Sequence, residues 1–180
     1  MSSRITLILG GARSGKSSHA QSLAAATGKS VTFIATAQAL DDEMSRRIQK
    51  HRAERPAAWE TLELLCEIAS QSSQIKSDVI LLDCITLLVS NLLMPFVEGE
   101  LVDEALFMQT VHNEIEGLVR SIREQDQDWF IISNEVGLGL VPPSPMGRAY
   151  RDALGWANQR LSREADHVLF MVAGISMVVK

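Results

Sequence analysis

Apolar residues cluster in short runs along the chain, and these runs alternate with longer segments of helical periodicity. Most of the runs are continuous rather than alternating, which is typical of strands buried on both faces of a parallel sheet. Strands that alternate with helices predict an α/β fold with a doubly wound, mainly parallel sheet flanked by helices. The principal strands are predicted at residues 5–9, 31–35, 79–82, 129–133 and 168–172.

Two weaker segments complete the predicted sheet. Residues 59–63 are ambiguous between strand and helix, and the alternation of Trp59, Thr61 and Glu63 with smaller or apolar neighbours favours a short strand. Residues 175–179 follow Gly174, and we expect them to fold back as a C-terminal antiparallel edge strand.

Helices are predicted between the strands. One follows Asp41, a plausible N-cap, and carries Met44 and Ile48 on one face. Residues 141–147 contain three prolines and predict a loop. No repeat, low-complexity tract or linker interrupts the pattern, so we expect one domain over residues 1–180. The other helices are predicted at residues 17–26, 64–72, 85–93, 103–124 and 148–165.

Composition and charge narrow the class of protein. The net charge is −5 and no run of Lys and Arg is long enough to follow a phosphate backbone, so we do not expect a nucleic-acid partner. Cys66 and Cys84 form neither a C-x-x-C pair nor a metal-binding spacing, which favours reduced thiols in the cytoplasm. Residues 1–4 lead directly into the first predicted strand, so we expect no signal peptide, and no apolar run is long enough to span a membrane.

The most informative segment lies between the first strand and the first helix. It fits the phosphate-binding pattern G-x-x-x-x-G-K-[ST], the P-loop, at every fixed position. Glycines let the backbone wrap around phosphate oxygens, and the N–H groups of the loop and the helix N-terminus face the anion. The alternative is an ordinary glycine turn. The loop consists of Gly10, Gly11, Ala12, Arg13, Ser14, Gly15, Lys16 and Ser17.

Two side chains of this loop have predicted roles in chemistry. Lys16 is expected to reach the β- and γ-phosphates, and the Ser17 hydroxyl is expected to bind Mg²⁺. Arg13 either contacts phosphate or is exposed, and the pattern does not decide between the two.

Other polar residues follow the predicted strands. Parallel strands place their carboxyl ends at one edge of the sheet, where ligands bind. Asp83 ends an apolar strand as in a Walker B motif and is expected to hold Mg²⁺, directly or through water. Glu135 is either a group that orients a substrate hydroxyl or a metal-bound water, or a solvated acid at a strand end. The second strand delivers Ala35, Thr36 and Ala37 to the same edge.

His51 is the one histidine with a suggestive setting. It lies near the predicted end of a helix and is surrounded by arginines, among them Arg52 and Arg55. The sequence around His51, taken alone, favours a packed or exposed histidine of a helix. The alternative is a nucleophile whose neutral imidazole attacks phosphorus to form a phosphoramidate, with the arginines neutralising the phosphates.

The chain carries these motifs in the order in which they occur in a known family. It resembles the bifunctional adenosylcobinamide kinase / adenosylcobinamide-phosphate guanylyltransferase family of cobalamin biosynthesis. The resemblance covers essentially the whole chain. The glycine loop suits many nucleotide-binding proteins, whereas the later segments are more specific. The segments that carry the resemblance are residues 10–17, 34–37, 40–44, 47–48, 51–52, 55–56, 134–137, 141–142, 151–152, 155 and 158–159.

The resemblance implies a P-loop NTPase-type sheet, a homotrimer and two reactions. ATP or GTP phosphorylates adenosylcobinamide, and GTP then guanylylates a histidine that passes GMP to adenosylcobinamide phosphate. His51 occupies the position of that histidine. Position 83 is Asp here but Glu in some members, which favours a bridging water to the metal. The implied GTP contacts lie in the glycine loop and at Ala35, Thr36, Ala37, Arg52, Ala53, Glu54, Arg55, Glu63 and Asp83.

The two reactions attack different phosphorus atoms, the γ in phosphorylation and the α in guanylylation. We therefore hypothesise that the helix carrying His51 moves, or that GTP binds in two registers. Two other classes remain open from the sequence: a small-molecule kinase with one activity, and a P-loop nucleotide switch without an acceptor substrate.

Overall fold

A twisted sheet of seven strands forms the centre of the computed structural model, which describes residues 3–39, 42–53, 55–99 and 101–180. Its strand order is β3-β2-β4-β7-β1-β8-β9. A separate two-stranded hairpin consists of β5 and β6. The strands are β1 (Ile5–Gly10), β2 (Val31–Ala35), β3 (Glu60–Glu63), β4 (Val79–Asp83), β5 (Val97–Glu98), β6 (Leu101–Val102), β7 (Asp128–Ile132), β8 (His167–Val172) and β9 (Ile175–Val178).

All neighbouring strands of the large sheet run parallel except the last pair. The final strand, β9, lies antiparallel to β8 in the register Leu169↔Val178. The predicted mainly parallel sheet with a C-terminal antiparallel edge strand is therefore confirmed. The ambiguous segment 59–63 forms the short strand that was predicted, since β3 pairs with β2 in the register Phe33↔Thr61.

Helices connect the strands and cover both faces of the sheet. The predicted helix over 85–93 is reproduced, and the first helix begins one residue early, at Lys16. The predicted N-cap Asp41 lies outside the described residues. The helices are α1 (Lys16–Ala26), α2 (Asp42–Ala53), α3 (Ile68–Ser72), α4 (Ile85–Leu93), α5 (Glu104–Arg123) and α6 (Pro145–Glu164).

The predicted start of α6 was wrong. The helix begins at Pro145 rather than Arg148, so the segment expected to be a loop up to Gly147 contains its first turn. Proline is tolerated in the first turn because the N–H that it lacks has no partner within the helix. The hydroxyl of Ser144 caps this turn by accepting a hydrogen bond from the Gly147 N–H at 3.1 Å.

The predicted start of α3 was also wrong, and one small element was missed. Leu64 extends the sheet instead of opening the helix, because its N–H donates to the Ala35 carbonyl at 3.0 Å. The helix starts at Ile68, where the Glu114 carboxylate accepts from the Ile68 N–H at 2.9 Å. The β5–β6 hairpin has two residues in each strand, too few to leave an apolar pattern.

The core lies on both faces of the sheet, which explains the uninterrupted apolar strands. One face carries Leu7 and Ile80 against α3 to α6. The other carries Ile8 and Leu81 against the small residues of α1, such as Ala20. Among the residues that the structure describes, no helix has the length and apolar character needed to cross a lipid bilayer.

Candidate active site

The glycine loop is fixed at the carboxyl end of β1 by close contacts that require glycine. A Cβ at Gly10, which has a φ of 151°, would lie 2.6 Å from the Met171 carbonyl oxygen. Gly15 has a φ of 93° and directly precedes α1 as its N-cap. The neighbouring hairpin turn supports the loop, because the Gly174 N–H donates to the Ser14 carbonyl at 3.0 Å. The loop is therefore built into the sheet edge.

Lys16 and Ser17 open helix α1 directly after the loop. Lys16 is only 7% exposed, and its Nζ donates to the Gly11 carbonyl at 2.6 Å. Ser17 is half-buried. The first turn of α1 has no acidic residue, so its positive end is available to an anion. The hydroxyl of Ser14 is buried and has no hydrogen-bond partner in the described part of the chain, as suits a donor to a phosphate oxygen.

The end of β2 is bonded to the end of β4 through Thr36. This residue is fully buried. Its hydroxyl donates to the Cys84 carbonyl and accepts from the Cys84 N–H, both at 2.8 Å. Its own N–H donates to the Asp83 carbonyl at 3.1 Å. Thr36 therefore positions the turn after Asp83, a role that the sequence did not reveal because it depends on the pairing of β2 with β4.

Asp83 ends β4 beside the loop that follows β2. Burial and the nearby Asp83 carboxylate raise the pKa of the Cys84 thiol to about 12, so the thiol stays protonated at neutral pH. Asp83 also attracts the Arg55 guanidinium. Burial has the larger effect on Arg55, and together with repulsion from Arg52 it lowers the pKa of that guanidinium.

An arginine-lined pocket of about 540 Å³ lies next to these strand ends. Arg55 lies against the ring of Phe33, with its guanidinium carbon 3.5 Å from the ring centroid. Its Nε is buried without a hydrogen-bond partner among the described residues. Arg52 forms an ion pair with Glu63. The described residues that line the pocket are Arg52, Arg55, Pro56, Ala57, Trp59, Thr61 and Glu63.

Four of these lining residues, Pro56, Ala57, Trp59 and Thr61, were not predicted as site residues. The turn that presents Trp59 is closed by a hydrogen bond from its N–H to the Pro56 carbonyl at 3.0 Å. Thr61 accepts a long hydrogen bond from Arg55 at 3.5 Å. Alternation in β3 placed Thr61 on one face of the sheet, but the pattern gave no indication that this face lines a pocket.

The helix α2 carries the predicted nucleophile. His51 and Ala53 belong to the last turn of the helix. His51 is therefore the residue directly before Arg52, the first residue in sequence that lines the arginine-lined pocket. The His51 side chain and the whole of Glu54 lie outside the described residues. The role of His51 therefore stays a prediction.

Glu135 lies beside the glycine loop at the end of β7. Its N–H donates to the Gly10 carbonyl at 3.1 Å, and its carboxylate accepts from the Gly137 N–H at 2.5 Å. The residue is half-buried. The structure thus brings Glu135 to the edge of the sheet that carries the glycine loop and Asp83, and the role of its carboxylate stays a prediction.

The described residues fit a Mg²⁺ ion that is shared with a nucleotide. They contain no group of three or more His, Cys, Asp and Glu side chains that would bind a metal alone. Mg²⁺ in phosphoryl-transfer sites takes few protein ligands and completes its shell with phosphate oxygens and water. One hydroxyl, from Ser17, and one carboxylate, from Asp83, satisfy that requirement.

A strand, glycine loop and helix on a mainly parallel sheet, with an acid ending a nearby strand, define a P-loop nucleotide-binding protein. A solved structure from Pyrococcus horikoshii OT3 supports the fold, with a TM-score of 0.58 at 10% identity over 99% of this chain and 87% of that one.

Comparison of the sequence identifies the family. The model of the cobinamide kinase / cobinamide phosphate guanyltransferase family matches residues 6–179. The bifunctional adenosylcobalamin biosynthesis protein CobP of Pseudomonas aeruginosa is 44% identical over 97% of this chain and 96% of its own. The corresponding CobU protein of Salmonella typhimurium is 40% identical over 97% of this chain and 98% of its own. The chain belongs to this family.

Proposed function

We propose that this protein is a bifunctional enzyme of adenosylcobalamin biosynthesis that acts on cobinamide. In the first reaction, ATP or GTP transfers its γ-phosphoryl group to the hydroxyl of adenosylcobinamide. In the second, His51 attacks the α-phosphorus of GTP and releases pyrophosphate. The phosphate of adenosylcobinamide phosphate then attacks the same phosphorus, which yields adenosylcobinamide-GDP and restores the imidazole. The observation that carries the proposal is an arginine-lined pocket that directly follows a helix-borne histidine in sequence, on a sheet that also carries a P-loop.

The glycine loop supports the phosphoryl-transfer half of the proposal. Its N–H groups and the N-terminus of α1 bind the phosphates, and Lys16 neutralises charge that develops on the transferred group. In the described structure the Lys16 ammonium is bonded to the Gly11 carbonyl, so binding of a nucleotide exchanges this contact for phosphate oxygens. Ser17 and Asp83 would hold Mg²⁺, which supplies positive charge at the β- and γ-phosphates.

The arginine-lined pocket supports the guanylyl-transfer half. Its volume of about 540 Å³ suits a ligand of nucleotide size. The buried Nε of Arg55 has no partner among the described residues, as is appropriate for a group that meets a phosphate or base only when ligand is bound. The Glu63 carboxylate is an acceptor for the two N–H donors along the pairing edge of guanine. Adenine offers an acceptor at the central position, so we expect guanine to be preferred here.

Neighbouring positive charge suits His51 to its proposed role. A neutral imidazole nitrogen is a good nucleophile, and adjacent guanidinium groups both favour the unprotonated ring and stabilise the pentavalent phosphorus. Arg52 directly follows His51, and Arg55 lies in the same pocket. The resulting phosphoramidate keeps the guanylyl group on the protein until the corrinoid phosphate arrives.

We also propose that the protein is a cytoplasmic homotrimer. The exposed edge strand β9 carries apolar side chains, including Ile175, Met177 and Val178, each more than half exposed in the monomer. An unpaired edge with apolar side chains is commonly covered by another subunit. Light scattering coupled to size-exclusion chromatography tests the trimer directly, and a monomer at micromolar concentration would contradict it.

The function is tested by incubating the protein with Mg²⁺ and GTP labelled at the α-phosphorus. We expect covalent label that is stable to alkali and released by acid, as a phosphoramidate is. The variant His51→Asn should take up no label, whereas the matched control His167→Asn, at an exposed position on β8, should label like the parent. Labelling of the His51 variant at the parental rate would contradict the assignment of the nucleophile.

A further inference from the structure

The main chain at the end of β7 is held by side chains from two helices. Thr86, in α4, accepts a hydrogen bond from the Asn134 N–H on its hydroxyl at 2.7 Å. Asn158, in α6, donates from Nδ2 to the Asn134 carbonyl at 2.9 Å. Both backbone groups of Asn134 are thus satisfied by side chains rather than by a neighbouring strand. We call Thr86, Asn158 and Tyr150 the Asn134 clamp.

Tyr150 connects the two helices of the clamp. Its hydroxyl donates to the Thr86 carbonyl at 3.1 Å. Burial raises the pKa of Tyr150 above its usual range, so the hydroxyl stays protonated and able to donate. Tyr150 and Asn158 are separated by about two helical turns of α6 and therefore lie on one face of it. Asn158 is only 5% exposed. The clamp is a largely buried polar network that gives both backbone groups of Asn134 a hydrogen-bond partner.

The residue held by the clamp, Asn134, is directly followed by Glu135, which is bonded to the glycine loop. The next N–H along the chain, that of Glu135, donates to the Gly10 carbonyl at 3.1 Å. Three successive polar groups of the backbone are therefore fixed, two by the clamp and one by the glycine loop. The Glu135 carboxylate is fixed in turn by the Gly137 N–H. The position of this carboxylate relative to the first glycine of the loop depends on the clamp.

We propose that Thr86, Asn158 and Tyr150 are positioning residues that hold Glu135 for the phosphoryl-transfer reaction and leave guanylylation of His51 unaffected. The proposal rests on the proposed function and adds to it that Glu135 orients the acceptor hydroxyl, which is one of the roles that the sequence left open for this residue. It follows from the topology of the sheet. The clamp acts on the ends of β7 and β1, whereas the arginine-lined pocket adjoins β2 and β3, and β4 lies between them. The clamp contacts Asn134 after β7, whereas the residues that line the arginine-lined pocket belong to α2, β3 and the turn between them.

The test compares two rates in the same set of variants. Thr86→Val keeps the shape of the side chain but removes the hydroxyl that accepts from Asn134, and Thr86→Ser restores it. Asn158→Ala removes the donor to the Asn134 carbonyl. Tyr150→Phe removes only the hydrogen bond from α6 to the Thr86 carbonyl in α4. This milder variant tests the proposal if the other variants fail to fold. Matched controls are Thr110→Val and Asn113→Ala on α5, away from the clamp.

The first rate is phosphorylation of cobinamide by ATP, and the second is labelling of His51 by GTP. We expect kcat for phosphorylation to fall at least about tenfold in Thr86→Val and Asn158→Ala, with KM for ATP within about twofold of the parent value. Thr86→Ser should recover most of kcat, and Tyr150→Phe should lose less than the other two. The labelling rate and the control variants should stay within about twofold of the parent.

Two results would contradict the proposed positioning role of the clamp. Equal losses of phosphorylation and labelling in the same variants would show a general structural role instead. Unchanged phosphorylation in all three variants, with an active parent, would show that the contacts do not matter for this reaction. A parent protein that neither phosphorylates cobinamide nor takes up GMP would overturn the proposed function, and the clamp with it.

Discussion

The guanidinium of Arg55 rests on the ring of Phe33, with 3.5 Å between the guanidinium carbon and the ring centroid. Phe33 is almost completely buried in the middle of β2, so the ring forms the floor under a charged group that lines the arginine-lined pocket. A cation held in this way is pre-positioned and partly desolvated, and it therefore interacts more strongly with a phosphate than an exposed arginine would.

Replacing Arg55 tests this relationship. Arg55→Lys keeps the charge but loses the planar contact with Phe33 and the planar pair of N–H donors that can bind two phosphate oxygens at once. We expect the rate of guanylylation to fall by about tenfold to a hundredfold. The rate of phosphorylation should change by less than about threefold, because the glycine loop and not Arg55 is expected to bind the phosphates in that reaction. Stopped assays with labelled GTP and with cobinamide measure the two rates. Arg120→Lys, at an exposed position on α5, is the control.

Removing the hydroxyl of Thr36 should both lower the stability of the protein and disturb the expected Mg²⁺ site at Asp83. Thr36→Val preserves the shape but leaves the buried N–H and carbonyl of Cys84 without their partner. We expect the free energy of unfolding to fall by about 1–3 kcal/mol, and the Mg²⁺ concentration for half-maximal activity to rise. Urea unfolding and a Mg²⁺ titration measure these effects. Thr36→Ser should behave like the parent, and a destabilised serine variant would contradict this explanation.

A methyl group at Gly10 should be poorly tolerated. In Gly10→Ala the new Cβ would lie 2.6 Å from the Met171 carbonyl oxygen at a backbone angle that alanine rarely adopts. We expect a loss of at least about 2 kcal/mol in the free energy of unfolding. The comparison is Gly155→Ala, where a Cβ meets nothing within 4 Å in the middle of α6. That variant should be as stable as the parent or slightly more so.

Stability should depend on the ionisation of Cys84 at high pH. Its pKa is raised to about 12 by burial and by the Asp83 carboxylate, so the unfolded thiol loses its proton at lower pH than the folded one. The folded state therefore binds more protons between the two pKa values, and stability falls as pH rises from about 9 towards 12. Cys84→Ala should lessen that fall by up to about 1.4 kcal/mol per pH unit in this range.

Urea unfolding from pH 8 to pH 10.5 measures this effect. Both proteins should carry Cys66→Ala, since burial also raises the pKa of the Cys66 thiol. Parallel pH dependence of the two proteins would show that the Cys84 thiol makes no contribution.

Most of the sheet was predictable from sequence for a definite physical reason. Strands buried on both faces need apolar residues at every position, and Val79 to Leu82 is such a run. The glycine loop was predictable because its conformation depends on residues that are close in sequence. Helix boundaries were less predictable, since Pro145 is compatible with both a loop and the first turn of a helix.

The contacts that tune the site could not be predicted in the same way. The bonds from Thr36 to Cys84 depend on the register of β2 against β4, and the contact of Arg55 with Phe33 depends on the turn before β3. Pairs that are distant in sequence leave no local pattern. The assignment of His51 came from the resemblance to the family, and it stays a prediction.

The central claim is that His51 becomes covalently guanylylated. The most direct measurement is peptide mapping by mass spectrometry, under alkaline conditions that preserve phosphoramidates, after incubation with GTP and Mg²⁺. We predict that a GMP adduct forms on the peptide that contains His51, that fragmentation places it on the imidazole, and that adenosylcobinamide phosphate removes it. A protein that forms adenosylcobinamide-GDP without any adduct, or with the adduct on another residue, would contradict the account.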